Sequence, residues 1–211
     1  MSVGTMQKTI NSRGAGELPQ QVYEFKNEHP DLYEMLFFRC GWEVREERCV
    51  QYLYYHGVTG ADLKKILRKG FDAEAKRLGR KLPSKPLAVF SNAIVSDEFM
   101  ANQVTDFVGR LRLAVSLYPS GYPEFRINQY LRTKVGRAAV LDQHVNRPGY
   151  VRTDFGSALK IFFSRNPHIP KVPEEWGDDH EEYEGVLLNT YASVRRMTHS
   201  EKRFNDLKAK L

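Results

Sequence analysis

Residues 52 to 71 read YLYYHGVTGADLKKILRKGF, and the pair His56-Gly57 stands where strand-forming residues give way to a helical pattern. Such a junction exposes side-chain heads and backbone amides to a ligand. The plainer alternative is that Gly57 makes the turn and His56 is a half-buried strand end. A second group of chemically able residues lies near the C-terminus. His168 and His180 flank Asp178 and Asp179, and Glu182 and Glu184 close the same acidic stretch. His168, His180, Asp178 and Asp179 have the types of metal ligands, or they line a solvated loop. His144 and His199 have no companion at motif spacing. Cys40 and Cys49 are the only cysteines, too few for a disulfide framework, and a zinc site would need ligands from elsewhere. No phosphate-binding glycine loop, dinucleotide fingerprint, HExxH helix or nucleophile elbow is present.

Several elements must position these residues. Val22, Phe25, Leu32, Met35 and Leu36 recur at helical spacing, and Pro30 divides them into two short helices that end at Gly41. VQYLYYH, 50 to 56, reads as a strand. Leu63, Ile66 and Leu67 form one stripe of a helix that Gly70 would cap, with Phe71 after it. AKRLGRKLPSKP reads as a basic loop, and LAVFS, 87 to 91, as a short buried strand. A helix is expected from Ser96 through Phe99, Gln103 and Phe107. RLRLAVSLY, 110 to 118, alternates Leu111, Leu113, Val115 and Leu117 against polar and small residues, the mark of an antiparallel strand. PSGYP is a turn, and residues 124 to 163 have mixed signals. The proline-rich stretch 165 to 182 reads as a loop, and GVLLNTY as a strand from 185 to 191. The interleaving predicts an α+β fold. The expected organisation is a flexible leader over 1–17 and one domain over 18–211. Within that domain, 18–49 is helical, 50–198 is the core and 199–211 is a basic C-terminal helix.

The 211 residues suffice for a hydrophobic core without staples. No apolar run reaches the length of a spanning helix, so membrane insertion is not expected. The N-terminus lacks the apolar centre of a signal peptide. A cytoplasmic location follows, or delivery into a host cell by a route without a cleaved signal. The formal charge of +6 suits an acidic partner. Lys and Arg concentrate between 64 and 85 and again in the C-terminal RRMTHSEKRFNDLKAKL.

The block HGVTGADLKKILRKGF, followed in order by LAVFSNAIVSDEFMANQV, RLRLAVSLY and EYEGVLLNTYASV, resembles the ADP-ribosyltransferase superfamily in its poly(ADP-ribose) polymerase and diphtheria-toxin branch. The resemblance spans roughly residues 52 to 196. It implies a mixed, largely antiparallel split β-sheet core with flanking helices, and NAD as substrate. Nicotinamide would leave the ribose through an oxocarbenium-like transition state that a carboxylate stabilises. The resemblance assigns that carboxylate to Glu184, with Glu182 as the alternative on the same face of a strand. It also implies that His56 bonds the adenosine ribose and that the Gly57 backbone meets the carboxamide. Thr59, Phe90 and Phe99 would complete the NAD contacts. Val58 stands where the family has Ser or Thr after His-Gly, and LAVFS lacks the family's tyrosine. A single ADP-ribose would pass to a macromolecular acceptor, protein or nucleic acid.

Two other readings compete. An RNA 2′-phosphotransferase on the same fold would use NAD and hold RNA phosphates on the basic 64–85 segment, with Arg110, Arg112 or Arg152 near the nucleotide. A non-catalytic basic α+β module would bind an acidic partner by charge alone.

Overall fold

The computed structural model describes residues 2–3, 8–68 and 85–211. Gly70, Phe71 and most of the basic 64–85 segment, all singled out above, lie outside the described residues. The fold is α+β and predominantly helical. The chain falls into two compact units, Met1–Phe107 and Val108–Leu211.

The first unit carries the strands. β1 (Ser2–Val3) pairs antiparallel with β2 (Lys8–Thr9). α1 (Glu17–Glu28) buries Leu18, Val22 and Phe25, spaced i, i+4, i+7 on one face. α2 (Pro30–Tyr33) starts on proline, whose missing N–H costs nothing in the first turn, and runs into a π-helical turn over Glu34–Phe38. A hairpin follows. β3 (Trp42–Glu47) pairs antiparallel with β4 (Val50–Tyr55), placing Trp42 opposite Tyr55 and Val44 opposite Leu53. All four side chains are buried. Arg48 and Cys49 form the two-residue turn, both at positive φ, as the right-handed strand twist demands. α3 (Gly60–Arg68) buries Leu63 and Leu67.

LAVFS is not a strand. It lies in α4 (Lys85–Ala93), where Phe90 and Ala93 face the core at helical spacing. Five apolar residues have no period of their own, so burial rather than pattern chose the conformation. The aromatic core of this unit joins Phe25, Phe37, Trp42, Phe90 and Phe99, with neighbouring ring centroids 5.0 to 5.9 Å apart.

α5 (Asp97–Val115) begins near the expected Ser96 and continues through the segment read as the clearest strand. Its closing turns belong to the second unit. There Ala114 and Val115 are buried, while Leu113 is 55 % exposed. A strand would have turned Leu113 to the same side as Leu111 and Val115; a helix turns it away. Leu, Arg and Ala are strong helix formers, so local propensity suits the helix although the alternating pattern does not.

The remainder of the second unit is helical among its described residues: α6 (Ile127–Tyr130), α7 (Lys134–Asn146), α8 (Val151–Arg165), α9 (His180–Val194) and α10 (Ser200–Lys210). A 3₁₀ segment, Pro173–Asp179, precedes α9. GVLLNTY, expected as a strand, is the middle of α9. Its buried residues are His180 in the first turn and then Glu184, Leu187, Leu188, Tyr191 and Ala192, which form an i, i+3, i+4, i+7, i+8 stripe. Tyr130, Phe155, Phe162, Trp176 and Tyr191 pack in one cluster with these residues. The split sheet implied by the family resemblance therefore has helices at three of its expected strands.

Candidate functional site

The sequence-selected residues fall in both units. In the first, β4 ends at His56 and Gly57, as the strand–turn–helix reading requires, and α3 follows three residues later. His56 has φ 46° and Gly57 φ 77°. Both are exposed. The His56 backbone N–H donates to Gly41 O at 2.8 Å, and its ring meets Tyr55 edge-on with centroids 4.5 Å apart. Thr59 Oγ1 donates to Leu53 O at 2.7 Å, which ties the start of α3 to β4. Phe90 and Phe99 are core residues without open ring faces.

In the second unit, Glu182 and Glu184 do not share a face. The 100° step of a helix leaves Glu182 exposed and Glu184 fully buried. The carboxylate of Glu184 accepts the backbone N–H of Arg132 at 2.7 Å, the N–H of Thr133 at 3.1 Å and the Thr133 hydroxyl. Thr133 is the N-cap of α7, its Oγ1 accepting from Gly136 N at 3.0 Å. Glu184 thus satisfies amides that the helix start leaves open, and it sits at the positive end of the helix dipole. A cavity of about 680 Å³ lies beside this cap, lined by Arg132, Lys134, Asp178, His180 and Glu181 among others. Its charged residues are of both signs. His180 is buried, with Nε2 3.2 Å from Tyr130 O and 3.9 Å from Glu184 Oε2. His168, Asp178 and Asp179 are exposed, and no metal-binding group of three occurs among the described residues.

A different surface of the second unit has no signal in the sequence beyond Arg152. Tyr118 and Tyr150 are 39 % and 40 % exposed, and each carries an arginine. The Arg126 guanidinium lies 5.2 Å from the Tyr118 ring centroid and its Nε donates to the Tyr118 hydroxyl at 3.1 Å. Arg196 lies 4.1 Å over Tyr150. Arg152 joins the two places. Its Nε donates to Tyr118 O at 2.9 Å, and its own carbonyl accepts from Ser120 N at 2.9 Å. Gly156 on α8 allows this approach, since a Cβ there would fall well inside contact distance of Ser120 O. Arg196 is held by Asp154, with Nε 2.7 Å from Oδ1 and its backbone N–H 2.7 Å from Oδ2. Gln143 Nε2 donates to the same buried carboxylate at 2.5 Å, and the Tyr191 hydroxyl donates to Gln143 Oε1. Burial pushes the Tyr191 phenol well above its usual range. No short motif announces this surface, because its parts come from 118, 126, 150, 152 and 196.

No protein-family model matches the sequence, and comparisons with curated proteins and with solved structures return no match.

Proposed function

We propose that the protein is a basic α+β module that binds an acidic macromolecular partner through the arginine–tyrosine surface of its second unit. The observation that carries this reading is the pair of exposed guanidinium–tyrosine contacts at Tyr118 and Tyr150, linked by Arg152, with Arg126 bonded to the Tyr118 hydroxyl and Arg196 anchored by Asp154. Arginine forks match phosphate and carboxylate geometry, and a pre-ordered side chain loses less entropy on binding. The positive net charge favours encounter with such a partner.

Binding of the whole chain to fluorescent polyanions tests it: an oligonucleotide, polyphosphate and polyglutamate, each at low and at near-physiological salt. Affinity for at least one, falling steeply with salt and lost in R126E/R152E, supports the reading. Indifference to all three overturns it.

The NAD-dependent mono-ADP-ribosyltransferase remains a second reading, favoured by β4, the exposed His56-Gly57 turn and α3 in the expected order. It now rests on that block, since Glu184 caps a helix and Phe90 and Phe99 fill a core. Labelled NAD with wild type and H56A is the test. Nicotinamide release or label transfer that H56A loses would support it, and saturable NAD binding is its minimum requirement.

A further inference from the structure

We infer that the acidic partner is single-stranded nucleic acid, with nucleobases stacked on the Tyr118 and Tyr150 platforms and phosphates held by Arg126 and Arg152. This rests on the acidic-partner reading above and narrows it to one chemistry.

Four observations favour this partner. First, the platforms are rings with area open to solvent, whereas most aromatic side chains of this unit, Tyr130, Phe155, Phe162, Trp176 and Tyr191 among them, are buried. The carboxylates of an acidic peptide engage the cations and leave the rings unused, whereas an unpaired base brings both a phosphate for the cations and two faces to stack. Second, the cations that frame the rings are arginines, whose planar heads stack on bases as well as fork to phosphate. The Arg196 side chain is 55 % exposed above Tyr150. Third, the charges divide by role. Arg196 is paired with buried Asp154, so it serves the stack. Arg126 and Arg152 bond the neutral hydroxyl and carbonyl of Tyr118, which leaves their charge uncompensated by those contacts. Fourth, the loop and helix that bear the rings are locked by the Ser120–Arg152 and Arg152–Tyr118 bonds. Duplexes present base edges and phosphates but no faces, so a paired strand would gain from the arginines alone.

The experiment is fluorescence anisotropy of the whole chain with a labelled 20-nucleotide single strand, the same sequence as duplex, and polyphosphate of matched charge. Y150A and Y118A, both at exposed positions, are followed beside Y150F, with thermal melting as the check on folding. The expected result is preference for the single strand. Each alanine variant should weaken it by roughly ten-fold or more, from the usual contribution of one base stack. Y150F, which keeps the ring, should restore binding. Polyphosphate should bind more weakly and ignore Y150A. Equal affinity for all three ligands, with Y150A without effect, would overturn base stacking and leave the acidic-partner reading standing. Preference for the duplex would overturn it likewise. If no polyanion binds at low salt, both readings fall together.

Discussion

Glu184 on α9 and Thr133 at the start of α7 are bonded through the carboxylate and both the hydroxyl and the N–H of the threonine, across 51 positions of sequence. The acid proposed for catalysis is thereby consumed in closing a helix. A buried carboxylate facing three donors is held by charge-assisted bonds, each stronger than its neutral counterpart.

Replacing Glu184 with Gln should therefore destabilise the second unit by about 2–3 kcal/mol, since an amide NH₂ would face the Arg132 and Thr133 N–H groups. Glu182→Gln, at an exposed position of the same helix, should change stability by less than about 0.5 kcal/mol. Urea unfolding of the two variants separates the roles. Equal effects would show that the cap does not carry stability.

Asp142 offers a second contrast. Its carboxylate faces Arg195 Nη1 at 3.3 Å and receives the Arg203 guanidinium. Arg195 also donates to Ala139 O and Ser200 O, and its side chain is fully buried. Burial pulls the Arg195 guanidinium below its usual range, while the bond to Asp142 holds Arg203 above it. Asp142→Asn should cost about 3–5 kcal/mol because it strands a buried cation. Arg203→Ala, at a half-exposed site, should cost much less. Denaturant midpoints measure both.

Tyr130 and Tyr191 are raised above the ordinary phenol range, chiefly by burial. A raised acid binds its proton more tightly in the folded state. The stability it lends is intact below the unfolded value near pH 10 and declines as pH rises beyond it. Melting temperature should thus fall above about pH 10 more steeply than exposed tyrosines would cause. The Tyr130 hydroxyl is buried and has no hydrogen-bond partner among the described residues. Tyr130→Phe should then raise neutral-pH stability by about 1 kcal/mol and soften the alkaline decline. A loss of stability would mean that the hydroxyl has a partner.

The hairpin turn provides a gain-of-stability test. Arg48 and Cys49 occupy the left-handed region at φ 51° and 62°. Asn-Gly suits these positions, since Asn tolerates the left-handed region through local hydrogen bonds and Gly has no Cβ to crowd the following carbonyl. The double substitution should stabilise the first unit by about 1 kcal/mol, seen as a higher urea midpoint. No gain would show that the wild-type turn is already relaxed.

Local pattern alone determined part of this protein. The helical spacing of Val22 and Phe25, the Pro30 start, strand 50–55, the His56-Gly57 turn and the Leu63–Leu67 stripe were legible because each rests on neighbours within one or two turns of chain. β3 was missed, since WEVREE has little apolar weight and its pairing with β4 supplies the reason for it. Residues 87–91, 110–118 and 185–191 were decided by tertiary structure. Short apolar runs satisfy both a helix and a strand, and only the surface they pack against distinguishes them. The stripe from Glu184 to Ala192 shows how close the decision lay: its helical period was present, with a carboxylate at one position where a core residue was expected. That carboxylate is tolerable only because the amides of Arg132 and Thr133, distant in sequence, come to meet it. The tyrosine–arginine surface likewise exists only once residues 118, 126, 150, 152 and 196 are folded together, because hydrogen bonds between distant segments leave no periodic trace in sequence.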